Sequence, residues 1–265
     1  MNKLTLNEIQ KDSLDVLKKT EKIFEELGVK YFLTFGSLIG AIRHKGFIPW
    51  DDDVDIFMPR PDYEKFIAYC KENAEKILPL ELKHFATNKN YVYPIARISN
   101  SDYILEYGTD RDYGLGLFVD VYPLDGYNPE DVKTQDEILK LRQKLSYYVP
   151  KRFVKRERSI KNVLRFIRFV FARIRSPKKI LKKMDDLAKK NAYEDFDIVT
   201  CSSWENSFFI KKSEFNEIID TPFEDTTAKI PTGYDAFLKR NYGDYMSPPP
   251  EEDRIAHHFY NAYKK

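Results

Sequence analysis

The first thirty residues carry apolar side chains at the spacing of one helix face: Leu6, Ile9, Leu17, Phe24 and Leu27. Residues three or four positions apart lie on the same side of an α-helix, so the pattern predicts a helix with one buried face. Thr5 and Glu8 have the spacing of a capping box, which satisfies free amides at a helix N-terminus. Gly28 is the residue type that most readily ends a helix. We therefore expect a helix over residues 5–28.

Short apolar and aromatic runs bounded by turn residues follow this helix. They predict strands over residues 29–35, 54–58, 80–85, 93–99, 103–107 and 115–122. One or two helical turns are expected over 38–43, a helix opens at Pro61, and another helix covers 234–242. Strands mixed with helices in this order predict an α/β (α+β) protein built on a mixed sheet.

Composition and charge divide the chain. It has 265 residues, of which 42% are hydrophobic and 15% aromatic, and this excludes the class of disordered proteins. The net charge is only +2, yet residues 140–183 contain 17 Lys or Arg and one acid, Glu157, a net of +16. We call residues 140–183 the basic segment. Helical periodicity runs from 129 to 190, so we expect a core over 1–128, a basic helical insertion over 129–190 and a C-terminal segment over 191–265 that completes the core.

Two further features bear on location. Cys70 and Cys201 lie far apart, without the spacing of zinc ligands or of a disulfide framework. The first 28 residues lack the apolar region of a signal peptide, and no run of 18 apolar residues occurs. We expect a cytoplasmic protein without a membrane span.

The stretch LTFGSLIGAIRHKGFIPWDDDVDIFMP, residues 33–59, carries candidate chemistry. Side chains alternate along a strand, so Asp53 and Asp55 project from one face. Two adjacent carboxylates repel each other unless a cation lies between them, and hard oxygen ligands suit Mg²⁺ or Mn²⁺. The preceding Gly36-Ser37 pair predicts a tight turn whose amides and hydroxyl can approach a phosphate. The strand FVDVYP supplies a third carboxylate, Asp120.

Each of these features also has an ordinary interpretation. Residues 51–55 could form a solvated acidic loop or the metal motif of a sugar-nucleotide glycosyltransferase, although an EF-hand is excluded because Ile56 stands where glycine is needed. Asp120 could instead bond backbone amides at a strand end. Arg43 could be a surface arginine, and His257 and His258 could be packing or surface histidines.

Three ordered motifs resemble one known family. The strings GSLIGAIRHKGFIPWDDDVDI, FVDVYPLDG and PTGYDAFLKRNYGDYMSPPPEEDRIAHH are similar to the LicD family of the nucleotidyltransferase superfold. The resemblance implies that residues 1–128 form a nucleotidyltransferase-like catalytic core. It also implies that Asp53 and Asp55 hold Mg²⁺, that Asp120 completes the acidic cluster, and that Gly36, Ser37 and Arg43 contact the diphosphate of a CDP-linked donor.

The resemblance also implies a reaction. Family members transfer a phospho-alcohol from a CDP-activated donor to a sugar hydroxyl. For a chain of this size we expect phosphocholine transfer from CDP-choline to a lipid-linked teichoic-acid or lipopolysaccharide precursor, by in-line attack with Asp120 as general base and CMP as leaving group. Transfer of ribitol or glycerol phosphate is the alternative, and a non-catalytic protein that binds a membrane surface is another. No motif indicates a nucleic-acid partner.

Aromatic faces suit the quaternary ammonium of choline, and candidates near the motifs are Trp50, Tyr113, Tyr122, Tyr242 and Tyr245. Residues 160–174 are amphipathic, with apolar side chains on one face and cations on the other. Such a helix packs its apolar face on the core, or lies on the inner face of the cell membrane through residues 159–175. The sequence leaves both arrangements open.

Overall fold

The computed structural model of the chain describes residues 1–153, 160–174, 176–204, 208–255 and 260–265. The described residues form these strands: β1 (Asn2–Lys3), β2 (Phe32–Leu33), β3 (Val54–Pro59), β4 (Leu80–Lys83), β5 (Ala96–Asn100), β6 (Tyr103–Tyr107), β7 (Phe118–Gly126), β8 (Ile198–Thr200), β9 (Ile210–Lys211), β10 (Ile218–Phe223), β11 (Thr226–Pro231) and β12 (Tyr260–Lys264). They form these α-helices: α1 (Leu6–Leu27), α2 (Phe35–Arg43), α3 (Arg60–Glu72), α4 (Val132–Leu145), α5 (Ile160–Ile174), α6 (Lys178–Ala188) and α7 (Tyr234–Tyr242).

A mixed sheet lies at the centre of the molecule. Its strands follow the order β2-β3-β7-β5-β4, and β8 with β9 extends from the end of β7. The β3 and β7 strands are parallel, whereas β2 with β3, β7 with β5 and β5 with β4 are antiparallel. The smaller sheets are β1-β12-β6 and the hairpin β10-β11. This architecture confirms the predicted α/β class with a mixed sheet.

Helix α1 covers the apolar face of the sheet. Alternate residues of the central strands, Val54, Ile56, Val119 and Val121, are fully buried together with Leu17 of the helix. Thr5 caps α1 through the reciprocal bonds of a capping box with Glu8, and Gly28 ends the helix in a left-handed conformation. Both predicted helix ends are therefore confirmed. The polar face of the same strands is left for the site.

The turn expected at Gly36-Ser37 is wrong. Strand β2 spans only two residues, and α2 begins at Phe35, so both residues lie in the first helical turn. The Thr34 amide donates to the Asp55 carbonyl at 3.0 Å, while the Thr34 carbonyl accepts from the Leu38 amide at 3.0 Å and opens the helix. Phe35 makes the change of direction with a positive φ of 48°.

Three predicted strands have shifted or shortened ends. The strand expected over 80–85 ends at Lys83 because the His84 carbonyl accepts the amides of a turn. The strand expected over 93–99 begins at Ala96, after Pro94, which has no amide proton for a sheet ladder. The strand expected over 115–122 runs instead from Phe118 to Gly126.

Helices α4 and α6 pack on each other through Ile138, Leu141, Leu145, Leu181 and Met184. Arg60 fixes them to the core, because its guanidinium forms a bidentate pair with Asp125 of β7 and bonds Asp185 of α6 at 3.0 Å. No helix in the described part of the chain is long and apolar enough to span a bilayer. The domain boundaries at 128 and 190 stay a prediction.

The interpretation of α5 as a core-facing helix is wrong. The side that faces the protein carries Asn162 and Ala172, each 7% exposed. The opposite side carries exposed apolar residues: Val163, Leu164, Ile167, Val170, Phe171 and Ile174. The apolar face of this helix therefore points to solvent. Ser159 and Arg175, which bound the segment expected to meet a membrane, lie outside the described residues.

Candidate active site

A cavity of about 540 Å³ opens at the edge of the central sheet where α2 and β3 begin. Its wall includes five carboxylates: Asp51, Asp53, Asp55, Asp244 and Asp253. Gly36 and Arg43 of α2 line it too, so the structure brings four of the six predicted site residues to one cavity. Ser37 and Asp120 are not among the described residues of its wall.

The carboxylates of the site are concentrated by strand geometry. Asp55 of β3 lies opposite Asp120 of parallel β7, and Asp53, just before β3, lines the same cavity as Asp55. Carboxylate oxygens of Asp51, Asp52 and Asp53 lie within 4.8 Å of one another. The sequence indicated an acidic run here, but alternation along a strand gave no reason to group Asp51 and Asp52 with Asp53.

Asp55 lies in an environment that disfavours its charged form. Its side chain is buried, and its Oδ1 atom accepts no hydrogen bond from any residue that the structure describes. Burial raises the pKa of Asp55 well above its ordinary value, and the charges of Asp53, Asp120 and Asp51 raise it further. A cation at this position would relieve both effects. The donor set therefore fits a hard divalent metal ion.

Gly36 and Ser37 shape the site in different ways. A Cβ atom on Gly36 would overlap the Asp51 carboxylate unless that side chain moved aside, so glycine lets α2 lie close to the acidic loop as it stands. The Ser37 hydroxyl is buried and accepts the Asp55 amide at 2.9 Å. Ser37 thus holds the start of β3 against α2.

Arg43 ends α2 at the cavity wall. Its Nη1 donates to the Tyr245 carbonyl at 2.7 Å, and its Nε donates to His44 Nε2 at 2.9 Å. Burial, with the nearby charge of Arg254, lowers the pKa of Arg43 from its usual range. The guanidinium remains a cation at neutral pH, because even a lowered arginine pKa stays far above 7. It is a cationic group in the same cavity wall as the carboxylates.

Asp120 is held by a residue that the sequence analysis missed. Arg97 of β5 lies opposite Asp120 in the sheet and pairs with both of its oxygens, at 2.5 and 3.2 Å. The guanidinium carbon lies 4.2 Å from the Tyr93 ring centre and 4.3 Å from that of Phe118. Asp120 is only 1% exposed. An arginine inside an otherwise buried strand was the available signal.

Comparison with known proteins tests whether the three motifs reflect membership of one family. The family model described as LicD/FKTN/FKRP, nucleotidyltransferase domain, matches residues 28–179. This chain belongs to the LicD family. It is 30% identical to the lipopolysaccharide cholinephosphotransferase LicD of Haemophilus influenzae over 99% of both chains. Mouse and human ribitol 5-phosphate transferase FKRP are each 30% identical over 47% of this chain and 22% of their own.

As a LicD family member the protein is a phosphotransferase. The first and second motifs of the resemblance lie within the matched range and supply β3, β7 and α2. The third motif supplies α7 and the loop after it, which contribute Tyr242 and Asp244 to the cavity wall. His257 and His258, also in that motif, lie outside the described residues.

Aromatic rings also line the cavity in this LicD family member, and we call them the aromatic wall. They are Phe35, Trp50, Tyr122, Trp204, Phe208, Tyr242 and Tyr245. Phe35 joins them, with its ring centre 5.1 Å from that of Tyr122 and 4.9 Å from that of Phe208. Tyr113, one of the five aromatic candidates, packs instead on Tyr91 and Tyr93 outside this wall. No motif marked Trp204 or Phe208.

The cavity therefore offers three kinds of chemistry side by side. Clustered carboxylates can hold a divalent cation, an arginine can bind phosphate oxygens, and aromatic faces can contact an apolar or cationic group. A diphosphate ester with a cationic end would use all three.

Proposed function

We propose that the protein transfers phosphocholine from CDP-choline to a sugar hydroxyl of a lipopolysaccharide or teichoic-acid precursor, with Mg²⁺ as cofactor. The observation that carries the proposal is the single cavity in which Asp53 and Asp55 lie with Arg43 and an aromatic wall. The 30% sequence identity to a lipopolysaccharide cholinephosphotransferase, over nearly the whole chain, supports the proposal. A cytoplasmic location is part of the proposal.

Asp53 and Asp55 would hold the metal ion, and the Asp55 Oδ1 atom, which has no described hydrogen-bond donor, supports this assignment. Mn²⁺ is the other ion that the same oxygen ligands would accept. When bound, the ion neutralises negative charge on phosphate oxygens during transfer. Asp120 would complete the negative field, since its charge already acts on Asp55.

The transfer exchanges the phosphoanhydride bond of the donor for a phosphate ester bond to the acceptor. The acceptor hydroxyl oxygen bonds to the phosphorus that carries choline, and the bond from that phosphorus to the bridging oxygen breaks. CMP leaves with the electron pair, and the hydroxyl proton passes to a base. Arg43 would bind the diphosphate, and Gly36, in the same cavity wall, has no side chain to obstruct the approach of substrate to the α2 backbone.

Asp120 is our proposed general base, and its pairing with Arg97 makes the role testable. To accept a proton, the carboxylate must loosen from the guanidinium at 2.5 Å. If Asp120 is the base, Asp120→Asn lowers kcat and removes the acidic limb of the pH profile, while Arg97→Gln keeps that limb. If both variants show the same profile and the same raised KM, the pair only shapes the site and the base is another group.

The aromatic wall supports choline as the headgroup, because a quaternary ammonium has no N–H to donate and is attracted to ring faces. Ribitol phosphate transfer is the second candidate, supported by the similarity to FKRP over 47% of the chain. A polyol headgroup would need hydrogen-bond partners, and the aromatic wall offers those only through its Tyr and Trp polar atoms.

The deciding experiment measures CMP release from CDP-choline, CDP-ribitol and CDP-glycerol with a glycan precursor as acceptor. We expect release from CDP-choline that needs Mg²⁺ and disappears in Asp53→Asn/Asp55→Asn. Release from CDP-ribitol alone would replace phosphocholine by ribitol phosphate as the transferred group. No release from any donor would contradict the proposal.

A further inference from the structure

Helix α5 exposes an apolar surface that no described part of the protein covers. We call its six residues the outer face: Val163, Leu164, Ile167, Val170, Phe171 and Ile174. They are between 38% and 75% exposed and fall within about a third of the helix circumference at 100° per residue. A contiguous apolar surface of this kind marks a binding site for an apolar partner.

The helix is fixed in this orientation by its inner side. Asn162 and Ala172 are buried, and the Arg165 guanidinium carbon lies 5.6 Å from the Phe153 ring centre. Arg165 Nη1 also bonds Asn162 Oδ1 at 2.9 Å. The inner side thus meets the rest of the chain through polar, small and aromatic residues, with the rings of Phe166 and Phe169 on Phe153, while the outer face points to solvent. Burial of the outer face against the core would require the helix to turn by about half a revolution.

Cations border the outer face. A groove of about 1050 Å³ runs beside α5, and its wall includes Lys140, Lys144, Arg168 and Lys179, with Phe171 of the outer face at its edge. The basic segment that contains all of these residues has one acid among 44 positions. The partner therefore combines an apolar interior with anionic groups at its border, and this combination is that of an anionic lipid surface.

We propose that α5 lies on an anionic membrane, with the outer face in the acyl region and the cations of the groove at the level of the lipid phosphates. This inference goes beyond the proposed transfer reaction, because lipid binding needs neither donor nor metal ion. The site of chemistry and the surface for the membrane are then separate parts of one chain.

Sedimentation of the whole protein with vesicles tests the proposal. We expect binding to phosphatidylcholine vesicles that contain phosphatidylglycerol, little binding to phosphatidylcholine alone, and weaker binding as salt rises. Leu164→Glu/Phe171→Glu should lower the partition coefficient at least about tenfold, since it places two charges in the acyl region. Lys140→Gln/Lys144→Gln should lower it by a similar factor and reduce the salt dependence.

Ile219→Glu is the matched control, because it changes an aliphatic residue of similar exposure, 45% against 53% for Leu164, on the β10-β11 hairpin. This control should bind vesicles as the unchanged protein does. Circular dichroism and Tm should be the same for all variants. Equal vesicle binding by Leu164→Glu/Phe171→Glu and the control would overturn the proposal. A second result would also overturn the proposal: the unchanged protein does not bind vesicles but forms a dimer in light scattering, and Leu164→Glu/Phe171→Glu abolishes the dimer. A second copy of the chain would then cover the outer face.

Discussion

The acidic site and the basic segment both concentrate charge of one sign, but the fold treats them in opposite ways. At the site, Asp52, Asp53, Asp55 and Asp120 are each at most 9% exposed and lie close together because of strand register. In the basic segment, the cations that the structure describes lie largely at the surface, on three helices and the loop after α4. Buried like charges are costly and exposed ones are not.

This difference shows where function is to be sought. A cluster of buried carboxylates weakens the fold unless a ligand compensates it, so its presence indicates a binding role. Exposed cations cost little and indicate nothing by themselves. The informative feature of the basic segment is the exposed apolar face of α5 beside the cations. Exposure of apolar side chains to water is unfavourable because of the hydrophobic effect.

Replacement of Asp55 should give the largest effect. Asp55→Asn removes a proposed metal ligand, and we expect activity to fall by about 10⁴-fold, equal to about 5.5 kcal/mol of transition-state stabilisation. The same change removes a buried carboxylate whose pKa is raised by burial and by its neighbours, so metal-free protein should gain about 2 °C in Tm. CMP release and calorimetry in a chelator measure the two effects.

Asp225→Asn is the control for this test, since Asp225 is a largely exposed acid paired with Lys18. It should leave both activity and Tm nearly unchanged. A lower metal-free Tm in Asp55→Asn would mean that the carboxylate stabilises the fold, and the contrast between the two charged regions would fail.

Loss of Arg60 should give the largest effect on stability. Arg60→Ala leaves Asp125 buried without its bidentate partner, which costs about 4 kcal/mol. Urea unfolding measures the loss. Arg60→Met/Asp125→Leu removes both charges and should recover most of it, because two apolar side chains need no partner. If the double variant is as unstable as Arg60→Ala, the loss comes from packing and not from the unpaired charge.

The sequence predicted those parts of the molecule that depend on near neighbours. Thr5, Glu8 and Gly28 fix the ends of α1 locally, and the two-residue spacing of Asp53 and Asp55 at the start of β3 brings both to one cavity. These features need only the spacing of residues along one element. They were therefore predictable without knowledge of how the elements pack.

The parts that were missed depend on contacts between distant segments. Arg97 meets Asp120 only because β5 and β7 pair in one register, and Trp204 reaches Tyr122 from a segment with no motif. The outward face of α5 was equally hidden, since an amphipathic pattern gives the relative position of two faces but not which of them meets the protein. Packing decides all three.

His84 provides a buried basic group to compare with the exposed cations. Its ring packs on Phe85 at the junction between the core and α6, and burial lowers the pKa of His84 to about 3 from an ordinary 6.5. Between these values the unfolded chain binds a proton that the folded chain does not. Stability from the neutral ring is therefore complete above pH 6.5 and falls by about 1.4 kcal/mol per pH unit as the pH drops towards 3.

His84→Asn tests this contribution. Between pH 7 and pH 5 the unchanged protein should lose about 2 kcal/mol more free energy of unfolding than the variant. Urea unfolding at pH 7 and at pH 5 gives the change in free energy of unfolding with pH for each protein. Subtracting the change in the variant from that in the unchanged protein removes the contribution of the carboxylates, which both share. The same pH dependence of unfolding free energy in both proteins would mean that the His84 imidazole is protonated in the folded protein. The junction would then tolerate a buried cation.

The smallest effect is expected for an ion pair on the exposed side of α6. Lys182 and Asp186 lie 2.6 Å apart, with side chains 67% and 57% exposed, so solvent screens their attraction. A double-mutant cycle with Lys182→Gln and Asp186→Asn should give a coupling of at most about 0.5 kcal/mol that vanishes in high salt. The neighbouring pair of Arg60 with Asp185, whose side chains are 8% and 16% exposed, should couple more strongly and keep its coupling in salt. Equal couplings on the two sides of this one helix would show that burial does not set the strength of these charges, and the distinction between the acidic site and the basic segment would lose its physical basis.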